Sequence, residues 1–309
     1  MRRQLYLSFL TPNKLVIQSF AKLNLYLKVV DKRADNYHNL ITLFERINLV
    51  DTITLKKLSN SSIIVKSSDK TIPLGEDNLS FKAARILRDK FAFKKGVEIN
   101  IIKRIPVGAG LGGGSSNAAA VLLGLNRLWR LNLSNLKLVK IALKIGSDVP
   151  FFIYDKPFAL GLGRGEIIKP LTKLNRVRLW HILVVPKINV STPFIYASYE
   201  SFNSRLKPLT ELTKGPCGVK ILTSELAKKK PYLTRGMFFN SLQEVAIKTH
   251  PKIGKVVNTL LGLGLENTVM SGSGGAVFSI TPSHKKALQL VSLLKKRHKA
   301  WRVYAVSTA

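Results

Sequence analysis

The fold of this chain is decided by one stretch, Pro106-Val107-Gly108-Ala109-Gly110-Leu111-Gly112-Gly113-Gly114-Ser115-Ser116-Asn117-Ala118-Ala119-Ala120. Five of the seven residues 108–114 are glycine, which frees the backbone for turns that a Cβ forbids. Before the stretch, residues 97–102 alternate apolar and polar as a half-buried strand does. After it, strong helix formers predict a helix over residues 116–129 with a Ser or Asn at its N-cap. A strand, a glycine loop and a helix start together predict a phosphate cradle built from backbone N–H groups.

Two common nucleotide-binding motifs share letters with this stretch, and both fit poorly. The pattern Gly108-x-Gly110-x-x-Gly113 matches the dinucleotide fingerprint, which also needs an Asp or Glu about 20 residues further on. No carboxylate occurs between Glu98 and Asp148, so a dinucleotide oxidoreductase would lack its ribose-binding acid. A P-loop fails because the glycines lead into serines rather than into Lys-[Ser/Thr]. Phosphate binding by amides and hydroxyl groups is favoured, and a plain glycine turn is the alternative.

The composition is that of a globular enzyme. The chain has 309 residues, enough for two domains with real cores, and its 46% hydrophobic content is ordinary. The single cysteine, Cys217, excludes an intramolecular disulfide and lies in a loop-like segment. No apolar run approaches the roughly 20 residues of a membrane span, and the amino-terminal apolar run is too short for a signal peptide. We therefore expect a cytoplasmic protein with no membrane partner.

The charge is unusual. Fifty Lys and Arg against 17 Asp and Glu give +33, which invites a nucleic-acid hypothesis. The basic residues are spread evenly, with 19 in residues 1–103, 14 in 104–206 and 17 in 207–309. The tightest clusters, residues 228–230 and 295–297, lack the interleaved aromatic residues that stack on bases. We expect non-specific attraction of polyanions at low salt and no specific nucleic-acid partner, and the oligomeric state stays open.

Four segments together resemble the GHMP small-molecule kinases, which hold ATP without a P-loop lysine. They are the glycine stretch, Ala21-Lys22-Leu23-Asn24-Leu25-Tyr26-Leu27 with the later Asp35-Asn36-Tyr37-His38, Gly146-Ser147-Asp148-Val149-Pro150, and Met270-Ser271-Gly272-Ser273-Gly274-Gly275. The matches run in order over most of the chain. Irregularly mixed strands and helices predict an α+β fold. The resemblance implies a ribosomal-S5-like amino-terminal domain over residues 1–163 and a ferredoxin-like carboxy-terminal domain over residues 164–309.

The resemblance also implies ATP as the phosphoryl donor, accompanied by Mg²⁺, with no metal site formed by protein ligands alone. The expected ATP-binding residues are Asn78, Lys103, Pro106, Val107, Gly108, Ala109, Gly110, Leu111, Gly112, Gly113, Gly114, Ser115 and Ser116. Loop amides would position the phosphates, Lys103 would add positive charge, and the serine hydroxyls would reach phosphate oxygens or Mg²⁺. Helix capping is the alternative for both serines and for Asn78, which the resemblance places against the adenine.

Asp148 and Lys22 are the expected catalytic pair. Asp148 is the only carboxylate in the 56 residues between Glu98 and Asp155, and it precedes a segment beginning Val149-Pro150 that can exclude water. An ionised carboxylate there suits a general base. By resemblance, the Lys22 ammonium would keep it charged and stabilise the developing alkoxide. A helix N-cap for Asp148 and a solvated strand lysine for Lys22 are the alternatives.

The acceptor implied by the resemblance carries a cytosine. Tyr37, His38 and Tyr196 would clamp the base and read its edge, while Asn24 and Thr192 would lie near the reacting hydroxyl. This implies phosphorylation of the 2-hydroxyl of a diphosphocytidyl-bearing alcohol in the non-mevalonate route to isoprenoid precursors. A surface turn at Tyr37 and His38, core filling by Tyr196, and another GHMP kinase, such as a homoserine or mevalonate kinase, are the alternatives.

Three positions depart from the family pattern. Phe20, Asn36 and Ser241 stand where Pro, Gly and Asp are usual. Asn tolerates a positive φ better than most residues. None of the three is the proposed base or part of the phosphate loop, so we expect affinity rather than activity to be affected.

Periodicity and turn residues predict the elements around these motifs. Strands are expected at residues 16–17, 23–30, 40–49, 53–55, 63–65, 97–102, 181–185, 276–280 and 302–306. Helices are expected at residues 79–91, 116–129, 135–145, 224–228, 241–249, 253–261 and 284–296. The residues before Lys14 are expected to be a ragged end, and Gly161, Gly163 and Gly165 mark the expected boundary between the halves.

Overall fold

The computed structural model describes residues 7–91, 94–203, 216–228 and 236–309 of the chain. These residues group into two units that interleave along the sequence. The first unit holds the described residues of Met1–Ala21, Leu49–Ile105 and Gly112–Asp155, and the second holds those of Lys22–Asn48, Pro106–Leu111 and Lys156–Ala309. The glycine stretch thus begins in the second unit and continues in the first, and the domain boundary at residues 163/164 stays a prediction.

The first unit contains a sheet. Its strands are β1 (Leu7–Thr11), the first part of β2 (Lys14–Lys32), the last part of β3 (His38–Lys57), β4 (Ile63–Ser67) and β5 (Val97–Ile102). They are neighbours in the order β1-β2-β3-β5-β4, with β4 parallel to β5. Every second residue of β5, from Val97 to Ile101, is buried, so the alternation read from the sequence turns one face of this strand to the core.

Helices cover this sheet and fix the end of the glycine stretch. They are α1 (Leu79–Lys90), α2 (Gly113–Leu128), α3 (Asn135–Ala142) and α4 (Val149–Ile153). A Cβ at Gly124 would overlap the Cδ1 atoms of Ile17 and Leu55, so α2 packs closely on the strands. Because α2 is buried along most of its length, its amino terminus is held in a fixed place.

The start of α2 differs from the prediction. The helix begins at Gly113, three residues early, and its N-cap is Gly112, which has φ +67° and makes no side-chain capping bond. The predicted Ser or Asn cap is therefore wrong, and Ser115 and Ser116 lie inside the first turn. A left-handed glycine turns the chain into the helix without supplying a side chain, so the N-cap residue does not satisfy the first-turn amides, which have no intrahelical acceptor in any α-helix.

The second unit contains the rest of β2 and β3 and twelve further elements. These are β6 (Phe158–Leu162), β7 (Ile167–Pro170), β8 (Trp180–Val185), α5 (Thr192–Asn203), α6 (Pro216–Ala227), β9 (Phe239–Asn240), α7 (Gln243–Thr249), α8 (Pro251–Gly262), β10 (Thr268–Met270), β11 (Val277–Thr281), α9 (His284–Arg297) and β12 (Arg302–Ser307). A 3₁₀ turn at Thr172–Leu174 precedes β8. Here β3 pairs with β6, β6 with β7, and β2 runs parallel to β9.

Four of these strands form an antiparallel sheet in the order β10-β11-β8-β12. With α8 leading into β10 and α9 joining β11 to β12, the chain follows the β-α-β-β-α-β order of a ferredoxin-like domain. Apolar side chains of β8, α8 and α9, including Ile182, Val256 and Leu290, share one buried cluster. The α+β fold class expected from the sequence is confirmed.

The structure corrects several predicted boundaries. Strands β2 and β3 run unbroken for 19 and 20 residues, through the gaps predicted at residues 18–22 and 50–52, and within these gaps Ser19, Lys22 and Asp51 are buried. The described residues before Lys14 form β1, with Leu7 opposite Ile17, rather than a ragged end. Helix α3 ends at Ala142, three residues early. Helix α5 was not predicted, and Cys217 lies in α6 rather than in a loop.

Candidate active site

The first half of the glycine stretch is locked to the loop that follows β10. Ser271 Oγ donates to Gly110 O at 3.2 Å, and the Ala276 amide donates to Ala109 O at 3.1 Å. Gly110 has φ +75°, and a Cβ there would collide with the carbonyl oxygen of Ser271. Only glycine satisfies both constraints, so the two loops identified in the sequence form one rigid element of the second unit.

The second half of the stretch opens α2 in the first unit. Ser116 is buried and accepts a 2.7 Å hydrogen bond from Ser19 Oγ, while Ser115 is half-buried one position earlier. The amides of Gly113, Gly114 and Ser115 are first-turn donors, and the helix dipole places positive potential there. A helix amino terminus thus lies where the sequence places the phosphate-binding loop, and anion binding there stays a prediction; Ser116 Oγ accepts a hydrogen bond from within the protein.

Asp51 makes the central polar contacts of this region, and the sequence analysis did not predict its role. Its Oδ1 accepts the amides of Arg104 and Ile105 at 2.7 and 2.9 Å, and its Oδ2 accepts Asn117 Nδ2 at 2.9 Å and pairs with Lys103 Nζ. Asp51 is fully buried. The sequence did contain one indication of this role. Asp51 alternates with the apolar Leu49 and Ile53, so it faces the core, where a carboxylate must have partners.

Lys103 therefore has a different setting from the one expected. It was predicted to lend its charge to ATP, but its side chain is 5% exposed and committed to Asp51. Its Nζ lies 3.1 Å from the position that a Cβ of Gly113 would occupy, so the charge is next to the start of α2. An ATP-binding role for Lys103 stays a prediction.

Lys22 and Asn24 form the corresponding polar centre of the second unit. They lie two residues apart on β2 and are 4% and 2% exposed. Lys22 Nζ donates to Asn24 Oδ1 at 2.6 Å, and Asn24 Nδ2 donates to Thr42 Oγ1 at 2.8 Å. A Cβ at Gly272 would lie 3.2 Å from Asn24 Oδ1 and 3.4 Å from Lys22 Nζ. The solvated-lysine alternative is wrong, since Lys22 is buried beside the Ser271 loop.

The backbone ties this centre to the glycine stretch. The Lys22 amide donates to Leu111 O at 3.0 Å, and the Asn24 amide donates to Ser271 Oγ at 3.2 Å. Asn240 Nδ2 donates to the carbonyl oxygens of Met270 and Gly272 at 2.8 and 2.7 Å. In the second unit, therefore, the structure brings the predicted Lys22, Asn24 and loop residues together.

Asp148 and Asn78 each precede a helix of the first unit, but only Asn78 caps its helix with its side chain. Asp148 is half-buried at the N-cap position of α4, but its side chain makes no capping hydrogen bond. Its N-cap alternative is therefore not supported. Asn78 does cap α1, since its Oδ1 accepts the Ser80 amide at 2.8 Å and its Nδ2 donates to Pro73 O. Contact of Asn78 with adenine stays a prediction beside this capping role.

Apart from Asn24, the predicted acceptor residues lie on α5 or directly after the turn that follows β2. The rings of His38 and Tyr196 stack with centroids 5.2 Å apart, and Thr192 Oγ1 lies 2.6 Å from Ser273 Oγ. Tyr37 is 56% exposed, with the Arg164 guanidinium 4.7 Å from its ring centroid. His38 is thus buried against Tyr196, and Tyr37 is largely exposed, with Arg164 over its ring.

Two of the departures from the family pattern have local explanations. Asn36 adopts φ +62°, the left-handed conformation that the usual glycine would supply. Ser241 Oγ accepts the Val29 amide at 3.1 Å, so this position joins α7's start to β2. Phe20 is a buried strand residue, and nothing in the structure explains why it replaces the usual proline.

The described residues were searched for two further features. Among them, no group of three or more His, Cys, Asp or Glu side chains is placed to hold a metal ion. No helix in these ranges is long and apolar enough to cross a membrane.

Comparison with known proteins gives a consistent result. The family model described as GHMP kinases N terminal domain matches residues 78–156, and that described as GHMP kinases C terminal matches residues 223–300. A 4-diphosphocytidyl-2-C-methyl-D-erythritol kinase of Clostridioides difficile is 39% identical over 295 residues, 95% of each chain. The same-named protein of Alkaliphilus metalliredigens is 37% identical over 284 residues, 91% of this chain and 94% of its own.

A solved structure agrees. A crystal structure of a 4-(cytidine 5'-diphospho)-2C-methyl-D-erythritol kinase superimposes with a TM-score of 0.77 at 30% identity, covering 95% of this chain and 99% of that one. The chain belongs to the GHMP kinases, the family of ATP-dependent phosphotransferases that the glycine stretch indicated. Within this family, the relatives and the structure just described all carry the name of the diphosphocytidyl methylerythritol kinases.

Proposed function

We propose that this chain phosphorylates the 2-hydroxyl of 4-diphosphocytidyl-2-C-methyl-D-erythritol with ATP and Mg²⁺, as a cytoplasmic enzyme of non-mevalonate isoprenoid precursor synthesis. The observation that carries the proposal is the 39% identity to a kinase of that name over 95% of both chains. A homoserine or mevalonate kinase has the same family fold, so the substrate assignment depends on this likeness and on the Tyr37, His38 and Tyr196 segments.

The residues present fit ATP. The first-turn amides of α2, from Gly113 to Ser115, would hold its phosphates, since a helix amino terminus is a ready anion site. The bend at Gly112 leaves these donors without side-chain caps. Mg²⁺ would neutralise phosphate charge, and the half-buried Ser115 hydroxyl is the loop group suited to contact it.

Proton removal falls to Asp148 in this proposal. Asp148 is half-buried at the amino end of α4, and its carboxylate would accept the proton of the attacking hydroxyl as general base. The Lys22 ammonium, already oriented by Asn24 Oδ1, would stabilise the negative charge that develops on that oxygen. Asn24 and Thr192 would position the alcohol.

A substrate panel tests the proposal. The purified protein would be incubated with ATP, Mg²⁺ and, separately, the diphosphocytidyl methylerythritol, homoserine and mevalonate, and the products followed by ³¹P NMR. We expect a new phosphomonoester only with the cytidyl substrate, on its 2-hydroxyl. Phosphorylation of homoserine or mevalonate in preference to it would refute the substrate assignment and leave the family membership intact.

A separate filter-binding experiment tests whether the protein has a specific nucleic-acid partner. The charge of +33 predicts retention of DNA on filters at low salt that falls steeply as salt rises, because counterion release drives such binding. Sequence-selective retention above physiological salt would contradict the proposed absence of a nucleic-acid partner.

A further inference from the structure

One helix fixes His38 from two sides. Tyr196 and Glu200 lie four residues apart on α5 and therefore on the same helix face. The Tyr196 ring stacks on the imidazole of His38 at 5.2 Å and an interplanar angle of 25°. Glu200 Oε1 lies 3.2 Å from His38 Nε2, within hydrogen-bond distance. The ring plane and one ring nitrogen of His38 are thus both set by α5.

Lys32 completes this cluster. Its Nζ lies 2.8 Å from the other carboxylate oxygen of Glu200. The hydrogen bond from Lys32 lowers the pKa of the Glu200 carboxyl below its ordinary value. Glu200 is consequently an ionised group that accepts hydrogen bonds and donates none at neutral pH.

An acceptor-only partner decides the tautomer of a neutral histidine. The nitrogen that faces the carboxylate must carry the proton, so His38 has Nε2–H directed to Glu200. The remaining nitrogen, Nδ1, is then a hydrogen-bond acceptor. Only 7% of His38 is exposed, so the ring has little freedom to turn over and exchange the two nitrogens.

We propose that Glu200 is a positioning residue that makes this site select cytosine over uracil through the tautomer of His38. Cytosine carries an exocyclic amino donor where uracil carries a carbonyl acceptor. In the edge-reading role predicted for His38, an acceptor at Nδ1 would match the amino group of cytosine and oppose the carbonyl of uracil. An unsatisfied polar group in a binding site costs more free energy than a satisfied one contributes. This inference rests on the proposed function, which supplies a cytidyl substrate.

A purely structural role for Glu200 is the competing explanation. Its pair with Lys32 is exposed, with side chains 36% and 48% accessible, and such pairs contribute little to stability. Loss of Glu200 should therefore leave the fold intact while releasing His38. Glu244, another exposed helical glutamate, pairs with Lys248 on a different helix, α7, and offers a matched control.

The first arm of the test is kinetic. Glu200→Ala is expected to raise KM for the cytidyl substrate by roughly tenfold, a typical effect of losing a charge-assisted hydrogen bond, and to leave KM for ATP unchanged. The ratio of kcat/KM for the cytidyl substrate to that for its uridyl analogue should fall by a similar factor. Glu200→Gln, which keeps an acceptor oxygen, should recover part of the ratio, and Glu244→Ala should match wild type. An unchanged ratio in Glu200→Ala overturns the proposal.

The second arm needs no turnover. ¹⁵N-histidine NMR of the full chain at about pH 8.5, where imidazole is ordinarily neutral, reports the tautomer of His38 directly. We expect the Nε2–H form in wild type and a mixture of both forms in Glu200→Ala. An Nδ1–H form in wild type overturns the inference. If wild type shows the Nε2–H form but phosphorylates no cytidyl substrate, the proposed function has failed and cytosine selection falls with it, while the positioning of His38 stands.

Discussion

Asp51 and Lys103 form a buried ion pair, with Oδ2 and Nζ 2.5 Å apart and side chains 0% and 5% exposed. The other carboxylate oxygen accepts the amides of Arg104 and Ile105, the two residues that lead into the glycine stretch. One carboxylate therefore holds a cation near the start of α2 and fixes the backbone that enters the loop. Asp51 thereby supports the backbone that leads into the loop proposed to bind phosphate.

Asp51→Asn should destabilise the protein strongly. The amide would direct donors at Lys103 and Asn117, and removing one partner of a buried pair typically costs about 3–5 kcal/mol. Chemical denaturation would measure the loss, with Glu98→Gln as the matched control. Glu98 pairs with Lys66 at 2.6 Å on the surface, where such a loss costs about 0–1 kcal/mol. Similar losses in both variants would contradict a supporting role for Asp51.

Gly110→Ala should weaken ATP binding. The residue has φ +75°, where an L side chain costs about 1–2 kcal/mol, and the new Cβ would push the Ser271 carbonyl away. We expect an ATP dissociation constant raised at least about tenfold by calorimetry. Gly262→Ala provides the control, because that position in α8 is helical and a Cβ there has open space. Equal ATP affinity in the two variants would refute the cradle.

The features that could be predicted from the sequence are local. The glycine stretch, the strand before it and the helix after it lie within about thirty residues, and their periodicity is unambiguous. The predicted start of α2 was wrong by three residues. Serine is a common N-cap residue, whereas the actual N-cap, Gly112, has no side chain by which the sequence could identify it.

The features that were missed join distant residues. Asp51 and Lys103 are 52 residues apart, and Lys32 and Glu200 are 168 apart. Likewise, the fully buried Glu45 of β3 and His181 of β8 lie together in the second unit, with Oε2 and Nε2 2.8 Å apart. A single sequence gives no spacing rule for such pairs. Only the inward register of Asp51 hinted at a partner.

Tyr37→Ala should affect the cytidyl substrate alone. Tyr37 is 56% exposed, and stacking of an aromatic ring on a base is worth roughly 1–3 kcal/mol in single-stranded nucleic-acid sites. KM for the cytidyl substrate should rise by about tenfold or more, while KM for ATP changes little. Tyr37→Phe keeps the ring and should behave as wild type. A comparable rise in both KM values for Tyr37→Ala would indicate that Tyr37 is structural.

Asp148→Asn and Lys22→Ala should impair the same chemical step. Asn keeps the shape of Asp148 but cannot accept the proton, so single-turnover phosphoryl transfer should slow by about 10²–10⁴-fold, with ATP binding retained. Lys22→Ala removes the buried ammonium held by Asn24 and should slow the same step. Lys28→Ala, at a half-buried position of the same strand, is the control and should transfer at the wild-type rate.

The double variant decides whether the two residues act as a unit. Residues that share one transition-state task give effects far smaller than the product of the single losses. We therefore expect Lys22→Ala with Asp148→Asn to be little slower than the worse single variant. Fully multiplicative losses would mean independent roles. If Asp148→Asn kept most of the single-turnover rate, another group would be the base, and the resemblance to the GHMP kinases would not extend to the chemistry assigned to Asp148.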